Sequence, residues 1–284
     1  MSIAIVTDTA CNLTPEQAKE LGIYVLPIEI IIDNVTYKDG IDITNEEFYE
    51  KMAVAKSVPK TSQPTMGDAL ALYQELSKAY DEILSIHLGS NLSGAVQSLE
   101  LLARDATDLN VTVYDTQLVS IPAAYLVFEA KRLVDEGKNI AEITQHLDQL
   151  RHKSIAFAAV HSMDVLVESG RVPSVVGTVA KIAKVKPILS IKASETKGLD
   201  VIEKVRTSKR ANNRLLDLVE EYTASLDYPF CLDVAHGKMP AEAEKLRNEL
   251  QKRYPNQEIN IHLLTSVIGA HSGSDIVGIF VAPK

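Results

Sequence analysis

The 284-residue sequence contains no tryptophan and only two cysteines. Cys11 and Cys231 lie far apart and form no CxxC motif, so the sequence has neither a disulfide framework nor a recognisable metal site. Proteins that lack disulfides are typical of a reducing compartment. We therefore expect a cytoplasmic location and no metal cofactor.

An excess of basic residues and long apolar runs are also missing. The sequence has 29 lysines and arginines against 38 aspartates and glutamates, a formal net charge of -9. A non-specific nucleic-acid binder needs a basic face, so this charge balance argues against nucleic acid as a partner. No apolar run approaches the roughly 18 residues of a membrane span. We expect no stable membrane insertion, so any contact with lipid must be made through a binding site on a water-soluble protein.

The remaining composition, with 46% hydrophobic and 24% charged residues, is that of a globular protein with one large or two medium domains. In the first half, strand and helix patterns alternate, which predicts an α/β domain with a parallel sheet. The predicted strands are 3–7, 24–32, 82–88 and 111–115, and the predicted helices are 14–21, 65–80, 121–136, 140–152 and one that starts near 93.

A small excursion interrupts this alternation at about residues 24–60. Asp33-Asn34 predicts a hairpin turn, and Thr44 predicts the start of a capped helix that runs to about Ala55. From Ile155 onward the pattern changes to paired strands, including 186–192 and 198–206, which predicts a mixed sheet. We therefore divide the chain into an N-terminal domain, 1–153, and a C-terminal α/β domain, 154–284, with a ligand cleft between them.

Three polar segments carry hydroxyl or imidazole groups at predicted turns: Thr61-Ser62-Gln63-Pro64, Ser90-Asn91-Leu92-Ser93-Gly94 and Gly269-Ala270-His271-Ser272-Gly273. A helix start has unpaired N–H groups, and a serine or threonine beside it can help to hold a carboxylate or phosphate. The alternative is that these residues only cap their own helices. The segments therefore indicate a site that binds an anion, without excluding plain capping.

The order and spacing of several motifs along the whole chain resemble the DegV family of bacterial fatty-acid-binding proteins. Besides the three polar segments, the motifs are Val6-Thr7-Asp8-Thr9, Gln97-Ser98, Gly170-Arg171-Val172 and Lys186-Pro187-Ile188-Leu189. The chain departs from the family pattern at Ile121-Pro122-Ala123-Ala124 and at Glu168-Ser169-Gly170-Arg171. These departures affect the shape of the predicted lipid tunnel and the surface that would face a partner.

The resemblance implies that Thr61 and Ser93 hold the head group of a fatty acid, with help from the Gly94 amide. Arg171 either is an exposed residue after a helix stop or faces the cleft and stabilises negative charge. His271 is either structural or donates to the head group from the second domain. The tail tunnel cannot be located from periodicity, and residues 121–128 and 165–167 are only candidates.

The resemblance further implies that the protein is not itself an enzyme. It would present a bound long-chain fatty acid to a separate fatty acid kinase, which uses ATP and magnesium to form an acyl phosphate for phospholipid synthesis. The alternatives are an α/β small-molecule phosphotransferase and a lipid sensor without a kinase partner. The sequence has no Walker-type GxxxxGK[ST] motif and no GxGxxG motif that would favour an enzyme.

A serine hydrolase is a further alternative, because Ser93, Asp115 and His271 follow the order of an α/β-hydrolase triad. The nucleophile elbow of that fold requires glycine two residues before and two residues after the serine. This chain has Asn91 and Ala95 at those positions, which argues against hydrolysis. The carboxylate of Asp8, at the end of the first strand, has no neighbouring ligand cluster and predicts a turn-forming role.

Overall fold

The computed structural model describes residues 2–171, 185–193 and 199–284. Val172 of the predicted Gly170-Arg171-Val172 motif and the predicted strand start at Gly198 lie outside these residues.

The described residues form thirteen strands. They are β1 Ile3–Asp8, β2 Ile23–Leu26, β3 Glu29–Ile32, β4 Val35–Lys38, β5 Lys60–Ser62, β6 Glu82–His87, β7 Val111–Asp115, β8 Ile155–Val160, β9 Lys186–Lys192, β10 Leu199–Val205, β11 Phe230–His236, β12 Ile259–Leu263 and β13 Ile276–Pro283.

Ten helices are found among the same residues. They are α1 Pro15–Leu21, α2 Asn45–Val54, α3 Met66–Leu76, α4 Ala95–Asp105, α5 Ile121–Asp135, α6 Ile140–Lys153, α7 Asp164–Ser169, α8 Ser208–Thr223, α9 Pro240–Arg253 and α10 Ser266–Ser272. Among the helices that the structure describes, none combines the length and the apolar character needed to cross a bilayer.

The N-terminal half contains a parallel sheet with the strand order β2-β1-β6-β7. The carboxyl ends of its strands meet at one edge, where the loops after β1 and β6 emerge, as in open α/β sheets that bind ligands there. The expectation of one strand over 24–32 is wrong. Pro27 has no backbone N–H for a ladder hydrogen bond, and the chain leaves the parallel sheet after Leu26 and begins β3 at Glu29 in another sheet.

The predicted excursion is a three-stranded antiparallel sheet, ordered β4-β3-β5, together with α2. Its hairpin turns at Asp33 and Asn34, whose φ angles of 48° and 67° are the left-handed values that a two-residue hairpin needs. Thr44 caps α2 in a capping box with Glu47. The sheet begins at Glu29 and extends through Ser62, so it starts and ends later than the predicted range of about 24–60 and includes Thr61.

The second half contains a mixed six-stranded sheet with the order β10-β9-β8-β13-β11-β12. Among the strands of this sheet that the structure describes, only the β11–β12 pair is parallel. One face of the sheet packs against α8 and α9 through side chains such as Phe157, Val277 and Ile279. The α/β fold class with a parallel and a mixed sheet is therefore confirmed. Among the described residues, every strand of the mixed sheet follows residue 153. The domain ranges 1–153 and 154–284 remain a prediction.

The excursion contacts the second half of the chain through a close approach of α10 to α2. A Cβ atom on Gly269 would lie 2.8 Å from Cε1 of Phe48 and 2.8 Å from the hydroxyl oxygen of Tyr49. Both aromatic side chains are buried, at 0% and 2% exposure, and have little room to move. Glycine is therefore needed at this crossing, which brings α10 and its histidine against the small sheet.

We expect Gly269→Ala to destabilise the protein by about 1–3 kcal/mol, because a methyl group has to be forced into a filled contact. The measurement is the midpoint of urea unfolding. Gly67→Ala in α3 is the matched control, since a Cβ there meets only Thr65 Oγ1 at 4.0 Å. Alanine in a helix should leave stability unchanged or raise it by up to about 1 kcal/mol. Equal effects of the two substitutions would contradict the tight crossing.

Candidate functional site

A cavity lies between the mixed sheet, the excursion and the loops of the parallel sheet. Its wall is mainly aliphatic, with contributions from β8, β9, β11 and β13 and from α5, α7 and α10. Polar groups enter it from Thr61-Ser62-Gln63 in and after β5, and from Ser93, Ser120, Arg171, His271 and Ser272. Four of the five predicted site residues thus line one apolar cavity, although they are spread over more than 200 positions of sequence.

Thr61 and His271 are in direct contact at the polar part of this cavity. Thr61 lies in β5, paired with Ile30, and its Oγ1 is 2.8 Å from Nε2 of His271 in α10. Thr61 does not lie at a helix start: α3 begins at Met66, close to the predicted start at residue 65, and the hydroxyl of Thr65 caps it. Sheet pairing, and not a helix N-terminus, positions the Thr61 hydroxyl.

The imidazole of His271 is neutral at pH 7. Burial and, to a smaller extent, the positive charge of Arg171 together lower its pKa to about 4. Nδ1 of His271 is buried and has no hydrogen-bond partner among the described residues. If Thr61 donates to Nε2, Nδ1 carries the proton and can donate; if Nε2–H donates, the Thr61 hydroxyl proton is available. The pair therefore keeps one donor for a carboxylate oxygen in either tautomer.

The lowered pKa of His271 predicts a pH effect on stability. Between pH 6.5 and about 4 the unfolded chain binds a proton at this histidine and the folded chain does not, so unfolding becomes easier as the pH falls. The contribution of neutral His271 is fully present above pH 6.5. We expect wild-type protein to lose more stability than His271→Gln when the pH is lowered from 7.5 to 5.

Urea unfolding of both proteins at the two pH values measures this effect. The other groups with shifted pKa values, including Asp39, His161 and His236, are present in both proteins and cancel in the difference. A difference in stability that does not change with pH would show that His271 is not held neutral by its surroundings.

Ser93 reaches the cavity from the loop between β6 and α4. Its Oγ accepts a hydrogen bond from the amide of Ala95 at 3.2 Å, which leaves its O–H able to donate. The loop is held at its base, where Asp115 accepts hydrogen bonds from the amide and the hydroxyl of Ser90 at 3.0 and 2.6 Å. A Cβ on Gly89 would lie 2.8 Å from the backbone of Gln117, so the loop requires glycine there.

The other two predicted residues differ in their positions. Gly94 precedes α4 but is not among the residues that line the cavity, and a Cβ there would meet only Gln63 Oε1 at 3.7 Å. A close backbone approach within the protein is therefore not the reason for this glycine. Arg171 fits both of its interpretations: it is exposed directly after Gly170, which ends α7 with a φ of 69°, and it also lines the cavity.

A row of small residues across the mixed sheet makes room for the apolar part of the cavity. Ala158 in β8, Gly278 in β13 and Ala235 in β11 are direct cross-strand neighbours, and all three line the cavity. Sequence reasoning missed this row, because it depends on the register of three strands that are far apart in sequence. Of the predicted tunnel segments, Ile121, Pro122 and Leu166 line the cavity.

A buried polar network supports the loop that carries Ser93. The carboxylate of Asp8 accepts from the amide of Ala10 at 3.0 Å, as its predicted turn-forming role requires. It also lies 2.9 Å from Nδ1 of His87 and accepts from the amide of Leu88 at 3.1 Å. His87 Nε2 is 2.7 Å from the hydroxyl of Ser85. Of these residues, only Asp8 was singled out from the sequence, because the network forms through strand pairing between segments distant in sequence.

The geometry does not form a hydrolase triad. Asp115 bonds to Ser90 and not to His271, while His271 bonds to Thr61 and not to Ser93. A serine nucleophile needs a base within hydrogen-bond reach that is oriented by a third group. The arrangement offers hydrogen-bond donors to an anion instead.

Comparison with known proteins identifies the family. The model of the family described as "Uncharacterised protein, DegV family" matches residues 2–284. The chain belongs to the DegV family. Protein DegV of Bacillus subtilis is 31% identical over 280 residues, which cover 98% of both chains. A DegV domain-containing protein of Halalkalibacterium halodurans is 33% identical over 278 residues, covering 98% of this chain and 97% of that protein.

Solved DegV structures share the whole fold. The fatty acid binding DegV family protein of Streptococcus agalactiae superimposes with a TM-score of 0.91 at 31% identity, covering 100% of this chain and 99% of the other. DegV of Bacillus subtilis, described as a fatty acid binding protein, gives a TM-score of 0.89 at 30% identity and covers 100% of both chains. The resemblance inferred from the sequence motifs is confirmed.

Proposed function

We propose that this DegV protein binds a long-chain fatty acid in the cavity and presents its carboxylate to a separate fatty acid kinase in the cytoplasm. The proposal is carried by one observation: an apolar cavity in which Thr61, Ser93, Arg171 and His271 come together as donors. The description of the relatives from Streptococcus agalactiae and Bacillus subtilis as fatty acid binding supports the same ligand class.

The chemistry of these four residues, here called the polar cluster, suits a carboxylate. The Thr61–His271 pair has one donor left over, Ser93 has a hydroxyl proton, and Arg171 brings the only formal positive charge among the cavity-lining residues that the structure describes. A neutral pair with one nearby guanidinium orients an anion without a large desolvation cost. Most of the remaining lining is aliphatic, which suits an alkyl chain.

The alkyl chain supplies most of the proposed affinity. Each buried methylene contributes about 0.8 kcal/mol, so some 15 methylenes contribute on the order of 12 kcal/mol before ordering costs. The head group then mainly orients the ligand, which leaves its carboxylate oxygens accessible to a second protein. In the proposed complex, Arg171 is exposed at the cavity and stabilises charge on the carboxylate or on the arriving phosphate.

Mass spectrometry of an organic extract of the purified protein tests the ligand class. We expect a long-chain fatty acid at a molar ratio close to one. The absence of lipid from the extract, together with no uptake of added oleate, would contradict the proposal.

The kinase partner follows from the resemblance of the sequence motifs and needs its own test. Loaded protein, a purified bacterial fatty acid kinase, ATP and magnesium should give acyl phosphate, which can be trapped with hydroxylamine. The control is the same mixture without the binding protein. Retained fatty acid with no acyl phosphate would instead favour a lipid sensor without a kinase partner.

A further inference from the structure

A second cavity lies on the other side of the loop that follows β12. It is lined by four parts of the chain: residues 9–16 after β1, Val25 and Pro27, residues 39–46 before and at the start of α2, and residues 261–265. Leu263 and Thr265 line this cavity, whereas Leu264 between them lines the fatty acid cavity. The two cavities are thus separated by one wall, and the second one has no part in the proposed function.

The second cavity carries acidic groups. Among the residues that the structure describes, its lining includes Asp39, Glu16 and Glu46 together with His262, but no lysine and no arginine, and the rest is threonine, asparagine, glycine and apolar residues. Glu16 and Glu46 are exposed at the mouth, while Asp39 is only 3% exposed. A buried carboxylate behind an acidic entrance creates a negative potential that attracts cations.

The carboxyl group of Asp39 has hydroxyl partners but no cationic partner. The hydroxyls of Ser266 and Thr9 and the backbone N–H of Gly40 lower the pKa of this carboxyl group, and it belongs to none of the ion pairs found among the described residues. Burial outweighs these neighbours and raises its pKa to about 6. A positive group in the cavity would offset the cost of keeping this carboxylate charged.

Thr265 supplies a second, independent observation. Its side chain is 4% exposed and lines the cavity, and Oγ1 has no hydrogen-bond partner among the described residues. It does not cap α10, although it occupies the capping position. Because buried hydroxyls are nearly always satisfied, this orphan group indicates a missing hydrogen-bonding partner in the cavity.

We propose that this cavity binds a small organic ammonium compound, with its ammonium group paired to Asp39 and a hydrogen-bonding group at Thr265. A divalent metal fits less well, since hard cations prefer several carboxylate oxygens, and no group of three metal-ligating His, Cys, Asp or Glu side chains exists among the described residues. The remaining polar side chains of the lining are threonine hydroxyls, the amides of Asn12 and Asn45 and the imidazole of His262, which carry hydrogen-bond acceptors for an ammonium group.

Titration of the intact protein with ethanolamine tests the proposal by ¹H–¹⁵N NMR. We expect saturable shifts of the amides of residues 39–46 and 263–265. Ethylene glycol, the neutral isostere of ethanolamine, should give no saturable shifts at the same concentrations. Magnesium chloride is the third arm, and saturation by magnesium without saturation by ethanolamine would overturn the organic ligand class.

Two variants locate the binding groups. Asp39→Asn removes a charge-assisted hydrogen bond and should weaken ethanolamine binding by about tenfold or more. Thr265→Val replaces an unpaired buried hydroxyl by a methyl group, so it should fold at least as stably as wild type and weaken binding by about fivefold. The Thr265→Val variant keeps the proposal testable if Asp39→Asn does not fold.

Unchanged ethanolamine affinity in Thr265→Val, or in a folded Asp39→Asn, would overturn the proposed site. Both variants should retain the fatty acid content of wild type, because neither residue lines the first cavity. Loss of ethanolamine binding with unchanged fatty acid content therefore separates this site from the proposed function.

Discussion

Ala158→Phe is expected to weaken the binding of long-chain fatty acids by a hundredfold or more. Ala158 stands in the row of small residues, next to Gly278 across β8 and β13, and its side chain faces the cavity. A phenyl ring there occupies the space proposed for the alkyl chain. Excluding about four methylenes at about 0.8 kcal/mol each removes about 3 kcal/mol of binding free energy.

Competition of unlabelled fatty acids against a fluorescent fatty acid measures the change. Octanoate is the internal control, because a short chain held by the polar cluster need not pass Ala158, and its weak affinity should be nearly unchanged. Val54→Phe is the control for adding a phenyl ring at an exposed site, since Val54 is 82% exposed. Wild-type affinity for oleate in a folded Ala158→Phe would show that the alkyl chain does not lie against this row of small residues.

Thr61→Val is expected to weaken fatty acid binding by about 10- to 100-fold. Valine keeps the β-branched shape and the strand propensity of threonine in β5, and it removes the hydroxyl that contacts His271. Both nitrogens of a buried imidazole are then left without a protein partner. In the proposed complex, the loss of a hydrogen bond from the Thr61–His271 pair weakens binding by about 1–3 kcal/mol.

Thr61→Ser is the matched control, because it keeps the hydroxyl and removes only a methyl group. We expect near wild-type affinity for Thr61→Ser and an additional loss when Ser93→Ala is combined with Thr61→Val. Calorimetric titration of delipidated protein measures all variants. A double variant with wild-type affinity would place the carboxylate elsewhere in the cavity.

Local sequence signals predicted most of the secondary structure. Asp33-Asn34 marked its hairpin, because these residues tolerate left-handed φ angles, and Thr44 with Glu47 marked the start of α2 through a capping box. These features depend on contacts between residues close in sequence. The same reasoning failed at residues 24–32, where apolar periodicity continues through Pro27 although the chain changes sheets.

Only part of the candidate site was predicted from the sequence: its residue types were recognised, and their contacts were not. The polar segments around Thr61, Ser93 and His271 were noticed as motifs, but the contact between Thr61 and His271 could not be derived from them. Thr61 and His271 meet because β5 pairs with β3 and because Gly269 lets α10 approach α2. Both are tertiary contacts between segments that carry no sequence signal for each other.

By itself, the sequence determined the α/β class, the excursion, the family and the residue types that can hold a carboxylate, since these follow from periodicity, capping and motif spacing. Only the tertiary structure decided where the apolar cavity lies. The register of three strands brings Ala158, Gly278 and Ala235 into one row of small residues. Burial beside Arg171 lowers the pKa of His271 and keeps its imidazole neutral. Register and burial depend on pairs of residues distant in sequence, so they exist only in the folded chain.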